Sequence, residues 1–117
     1  MKRPTKRRSP CPVSCSLDLI GDRWTLLVVR DLMCGKSQFV EFCRSPEGIA
    51  TNILTDRLQR LVEHGLVEKA ASDEESRRDR YRLTTKGNSL RPVLDAIARW
   101  GLANIEGTEA GLKLKDA

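Results

Sequence analysis

The stretch Gly48-Ile49-Ala50-Thr51-Asn52-Ile53-Leu54-Thr55-Asp56-Arg57-Leu58-Gln59-Arg60-Leu61-Val62-Glu63-His64-Gly65-Leu66-Val67 constrains this chain more than any other. Wound at the helical period, Ile53, Leu54, Leu58, Leu61 and Val62 fall on one side. Asn52, Thr55, Asp56, Gln59 and Glu63 fall on the other, with Arg60 at its edge. Gly65 suits a left-handed helix end, and Leu66-Val67 restarts the chain as an apolar strand. The spacing predicts a helix over Thr51 to Glu63 with its back on a core. Short hydrogen-bonding side chains crowd its first two turns, a composition suited to base edges in a DNA groove. An ordinary surface helix can carry the same pattern, so the flanking segments decide.

Upstream, Ser16 can cap a short helix carrying Leu17, Leu19 and Ile20, which Gly21 breaks. Asp22 then restarts the chain into a helix from Arg23 to Cys34 that is apolar nearly all round and reads as the central core helix, ended by Gly35. Ser37 can cap a third helix, Gln38 to Arg44, and Ser45-Pro46-Glu47-Gly48 is a turn. Helix, turn and helix at this spacing match a helix-turn-helix unit whose second helix is the reader. Downstream, Leu66 to Ala70 and Arg80 to Thr84 read as strands around the polar segment Ser72 to Asp79. Two strands directly behind a reader helix make a wing, and Arg77, Arg78, Arg80 and Arg82 lie at its tip and return strand, where phosphates or a minor groove would be met. The expected fold is therefore mainly α with a small β-hairpin wing, a winged helix-turn-helix.

A last helix carries Leu90, Val93, Leu94, Ile97 and Trp100 at helical spacing, with Pro92 kinking it or setting its start near Asn88 or Ser89. That stripe can complete the core or pair with a second chain. Residues 1–10, with five basic side chains, read as a disordered basic arm, 11–106 as the folded unit and 107–117 as a flexible tail. The arm suits phosphate contact and equally suits a solvated tail.

The balance of charge is +5 over 117 residues, which favours a polyanionic partner. The longest apolar run, Leu26 to Val29, is too short for a membrane span, and the basic N-terminus lacks the apolar stretch of a signal peptide. A cytoplasmic location is expected. Cys11, Cys15, Cys34 and Cys43 should then be thiols, and their spacing, with His64 as the lone histidine, fits no zinc site. Cys34 and Cys43 fall on apolar faces as core fillers, and Trp24 and Trp100 read as core anchors. No nucleophile and base stand at a telling spacing, so no enzyme, metal or cofactor is expected.

Three stretches together resemble the HxlR family of winged helix-turn-helix transcriptional regulators: Cys11-Pro12-Val13 with Leu17 to Leu32, Ile49 to Val67, and Tyr81 to Gly101. The resemblance implies a homodimer joined by the first and last helices, which puts Leu17, Leu94, Ile97 and Trp100 at the interface. It implies binding to two half-sites of a double-stranded DNA operator; on the helix pattern Thr51, Asn52, Thr55 and Asp56 would face bases, Gln59 and Arg60 would reach a base or a phosphate, and Arg77, Arg78 and Arg80 of the wing would anchor phosphates or the minor groove. Several members sense oxidants or electrophiles through the cysteine that matches Cys11. The positive arm Lys6-Arg7-Arg8 would favour a Cys11 thiolate, Cys15 is the alternative reactive thiol, and an inert structural cysteine is the bland reading. Two departures stand out: the wing segment lacks the family's frequent proline pair, and Cys15, Cys34 and Cys43 are extra. A winged-helix module serving protein contacts is the competing function.

Overall fold

The computed structural model describes residues 7–70 and 79–109. Helices α1 (Pro12–Ile20), α2 (Thr25–Met33), α3 (Phe39–Cys43) and α4 (Thr51–Glu63) come first. Strands β1 (Val67–Ala70) and β2 (Arg80–Leu83) follow, then α5 (Thr85–Asn88) and α6 (Arg91–Asn104). The mainly helical architecture with a two-stranded wing is the one the sequence predicts.

The core forms where α2, α3 and α4 converge. Val28, Val29, Leu32 and Met33 of α2 meet Phe42 of α3 and Leu54, Leu58 and Leu61 of α4, closed below by Leu66, Val67 and Leu94. Burial of this set is the main force holding α4 in place. The strands pair antiparallel, with Val67 opposite Leu83 and Ala70 opposite Arg80. The α2–α3 link joins them: Tyr81 N donates to Ser37 O at 2.8 Å, and Gln38 bridges to Arg80.

Thr84 fastens the root of the wing to the end of α4. Its hydroxyl donates to Gly65 O at 2.6 Å and accepts from Gly87 N at 3.0 Å, while its N–H donates to Leu66 O at 3.1 Å. Gly65 takes the expected left-handed conformation, with φ of 75°. Gly87 lies so close to the chain behind α4 that a Cβ there would sit 2.0 Å from Leu66 O.

Several element boundaries differ from expectation, each for a local reason. Ser16 is no cap: α1 starts at Pro12 after an extended Cys11, and Ser16 Oγ donates back to Pro12 O at 2.7 Å. Pro at a first helical position lacks only an N–H that would be unsatisfied there. The next helix begins at Thr25 rather than Arg23, because the Asp22 carboxylate accepts the N–H groups of Trp24 and Thr25, at 3.1 and 3.2 Å, and so caps the helix from two residues further back. Gln38 rather than Ser37 precedes α3, since Glu41 Oε1 accepts both the Ser37 and Gln38 N–H groups, at 3.1 and 2.9 Å. The final helix begins at Arg91 with Pro92 in its first turn, and Thr84 caps the separate α5 before it.

The apolar stripes also divide differently. Val62, placed on the core side of α4, is 38% exposed, because Leu61 already fills that level of the core. Trp100 is no core anchor, being 63% exposed, and Trp24 is only half-buried. Of the predicted disordered arm, residues 1–6 lie outside the described part, and Arg8 Nε donates to Asp18 Oδ1 at 2.8 Å. Most of the predicted wing loop, residues 72–78, and of the tail, residues 110–117, also lie outside it.

Candidate nucleic-acid interface

The burial of α4 sets its outward face. Leu54, Leu58 and Leu61 are at most 2% exposed, which turns that side of the helix to the core and leaves Thr51, Asn52, Thr55, Asp56 and Gln59 in solvent. Arg60 is half-buried at the margin. Thr55 Oγ1 donates to Thr51 O at 2.9 Å, and Gln59 Nε2 makes a long contact of 3.4 Å with Glu63 Oε1. Asn52 is fully presented at the start of the helix. Ala50, extended ahead of α4, has no side-chain oxygen to cap it, so no side chain satisfies the first N–H groups at the positive end of the helix dipole.

Ionic contacts hold this helix to the rest. Arg57, which helical spacing placed on neither face, sends Nε to Asp22 Oδ2 at 2.8 Å and Nη1 to the Asp56 carboxylate. Burial opposes ionisation of Asp22, but hydrogen bonds from the Thr25 hydroxyl, Arg57 and the Trp24 and Thr25 N–H groups hold its carboxyl well below the usual range. The approach to α4 is held similarly. Arg30 Nη2 bonds Asp31 at 2.9 Å and Glu47 at 2.7 Å, and the hydrogen bond from Arg30 lowers the Glu47 carboxyl. Buried Asp31 in turn accepts the Ser45 hydroxyl, to which Lys36 Nζ donates at 2.6 Å. The turn before the reader is thereby tied to α2. Acid–base pairs this far apart in sequence leave no periodic signature.

On the wing, Arg80 is exposed at the start of β2, with Nη1 3.4 Å from Ser37 Oγ. Arg82 pairs across the strands with Glu68 at 2.9 Å. Arg77 and Arg78 lie outside the described residues.

Cys11 is exposed at the start of α1. The backbone N–H groups of Ser14 and Val13 lower its thiol below the ordinary value. The helix end is thus a cause of its own, while Arg8 of the basic arm is engaged with Asp18 and Lys6 lies outside the described residues. Cys15 Sγ donates to Ser9 O at 3.3 Å, and burial, followed by the Asp31 charge, pushes the Cys34 thiol up. Cys43 packs against the core as expected.

The two outer helices present apolar groups to solvent. Leu17 is 55% exposed, Ile97 52% and Trp100 63%, whereas Leu94, grouped with them by spacing, is buried in the chain's own core at 9%. Leu94 belongs to the same buried cluster as Leu66 and Val67, whereas Ile97, three residues on, stays outside it. Val13, one helical turn before Leu17, is exposed on the same helix and was readable from that spacing. Among the described residues no group of His, Cys, Asp and Glu could hold a metal ion, and no helix is long and apolar enough to cross a membrane.

The profile of the HxlR-like helix-turn-helix family matches residues 19–109. An HTH-type transcriptional regulator of Mycobacterium tuberculosis is 36% identical over 89 residues, covering 76% of this chain. The chain spans only 56% of that relative's length. The crystal structure of the transcription-factor candidate PA1607 superposes with a TM-score of 0.80 at 42% identity, over 93% of this chain and 76% of that one. The redox regulator HypR, in its oxidized form, superposes with a TM-score of 0.73 at 32% identity, over 80% of this chain and 97% of that one.

Proposed function

Because this chain belongs to the HxlR-like helix-turn-helix family and is a DNA-binding transcriptional regulator, we propose that it acts as a cytoplasmic homodimer on an inverted-repeat operator. One observation carries the reading: α4 divides into a buried leucine row and an exposed polar row of Thr51, Asn52, Thr55 and Gln59. In a major groove the Asn52 amide can pair bidentately with adenine, and the threonine methyls can meet a thymine methyl. Asp56 can accept from cytosine, while Gln59 and Arg60 reach a base edge or a phosphate. The uncapped start of α4 favours a phosphate beside Thr51. Arg80, with Arg77 and Arg78, supplies charge to the backbone or minor groove.

The exposed apolar groups of α1 and α6, Leu17, Ile97 and Trp100 with Val13 added, support pairing with a second copy, with Leu94 withdrawn from that set. Two-fold symmetry then sets the reader helices about one DNA turn apart, roughly 34–36 Å, or a multiple of it. The lowered thiol of Cys11, exposed on α1 beside that face, supports a response of DNA affinity to oxidants or electrophiles. Similarity to a redox regulator supports the same step.

The test is binding to the duplex that the wild type enriches from a random pool. Asn52→Ala should weaken it by about 1–3 kcal/mol and relax preference at one base pair of each half-site. Unaltered affinity and base preference would refute the reader assignment. Oxidant should release the wild type from the same duplex and leave Cys11→Ser bound. Release of both proteins alike would remove Cys11 as the sensor.

A further inference from the structure

We propose that Asp22 and Arg57 are positioning residues that set the angle of the reader helix, so that two half-sites can be engaged at once; this rests on the homodimer reading above. Asp22 stands directly after Gly21, at the joint between α1 and α2. Its Oδ2 accepts the N–H groups that open α2, from Trp24 and Thr25, and its Oδ1 accepts the Thr25 hydroxyl. The same Oδ2 accepts Arg57 Nε, at 2.8 Å, from the middle of α4. A single carboxylate therefore binds the start of one helix and the flank of another. The side chains are 25% and 18% exposed, so water screens the pair only in part.

Two kinds of force hold α4, and they differ in direction. Packing of Leu54, Leu58 and Leu61 is strong but non-directional, and it permits a small roll or tilt of the helix. A charge-assisted hydrogen bond between fixed atoms resists both motions. Arg57 supplies that restraint, and its other arm lies on Asp56, which keeps a carboxylate on the DNA-facing side compensated. The clamp is also a direct ionic link between α4 and the joint that carries α1, a helix with exposed Val13 and Leu17. A tilt error hardly matters to one reader on one half-site. For two readers joined through their outer helices it becomes an error in spacing, and paired binding suffers.

The measurement compares a duplex holding both half-sites, enriched by the wild type, with the same duplex holding one. Asp22→Ser retains a helix-capping oxygen but is too short to reach Arg57 as well. Arg57→Met keeps an unbranched stem and removes the charge. Each should lower affinity for the paired duplex about tenfold or more and leave single-site affinity within about twofold. Inserting one base pair between the half-sites should penalise the variants less than the wild type. The double variant should match the single ones, as expected for two residues acting as one unit. Equal losses on both duplexes, no loss on the paired duplex, or unfolding of both variants at assay temperature would each overturn the proposal. Wild-type protein that fails to prefer paired half-sites would show instead that the homodimer reading has failed, and the clamp's role would fall with it.

Discussion

Helices α4 and α6 carry apolar residues at the same period, and the chain treats them in opposite ways. In α4, Leu54, Leu58 and Leu61 are sealed against α2 and α3. In α6 only Leu94 is buried, while Ile97 and Trp100 stand more than half exposed. Periodicity tells which face of a helix is apolar; it says nothing of what covers that face. A domain this small has one modest core, and α2, α3 and α4 fill it before α6 completes its second turn. The reader helix is thus finished by its own chain. The last helix is not.

The sharpest way to break this contrast is to cut the core under α4. Phe42, completely buried between α2 and α4, should cost about 3–5 kcal/mol when changed to alanine, read from denaturant unfolding. A loss below about 1 kcal/mol would mean that α4 is not held chiefly by this core.

A smaller effect is expected where the wing meets the end of α4. A methyl group at Gly87 would meet Leu66 O at 2.0 Å and Leu83 Cδ2 at 2.9 Å. Gly87→Ala should cost about 1–3 kcal/mol, because backbone rather than a mobile side chain must yield. Stability equal to wild type would show that α5 can move off the strand without penalty.

On the other side of the contrast the effect on a single chain should be smallest. At dilution, Trp100→Ser should change unfolding free energy by no more than about 0.5 kcal/mol, as for other surface positions. The wild-type melting temperature should climb with protein concentration, as for a folded dimer, and that of Trp100→Ser should not. A wild-type melting temperature independent of concentration would argue that Trp100 has no partner copy to cover it.

Where the sequence was readable, local chemistry and period agreed. Helix α4 from Thr51 to Glu63, its end at Gly65 and the two wing strands follow from the leucine spacing, a glycine and alternation. Starts of helices were less legible, since Ser16 and Ser37 have capping chemistry but competing groups, Pro12 and Glu41, took the role. Leu94 and Trp100 share a period and differ in burial, which depends on where α6 crosses the core. Arg57 was invisible for another reason: its partner Asp22 lies in a different helix junction, and no short window holds both. The outward polar row of α4 was legible; the ionic contact on its flank was not.

Tyr81 tied to Ser37 at one end, and Thr84 tied to Gly65 and Leu66 at the other, make the base of the wing part of the same frame as the end of α4. Residues Ala70 and Arg80 face each other in register at the open end of the ladder. Whatever sequence is spliced between them begins and ends at fixed points. A change of length or charge in that stretch acts from a base already fastened to the α2–α3 link and to the end of α4. The stretch 71–78 and the row Thr51 to Arg60 are thus separate segments of the sequence that meet at one fastened base.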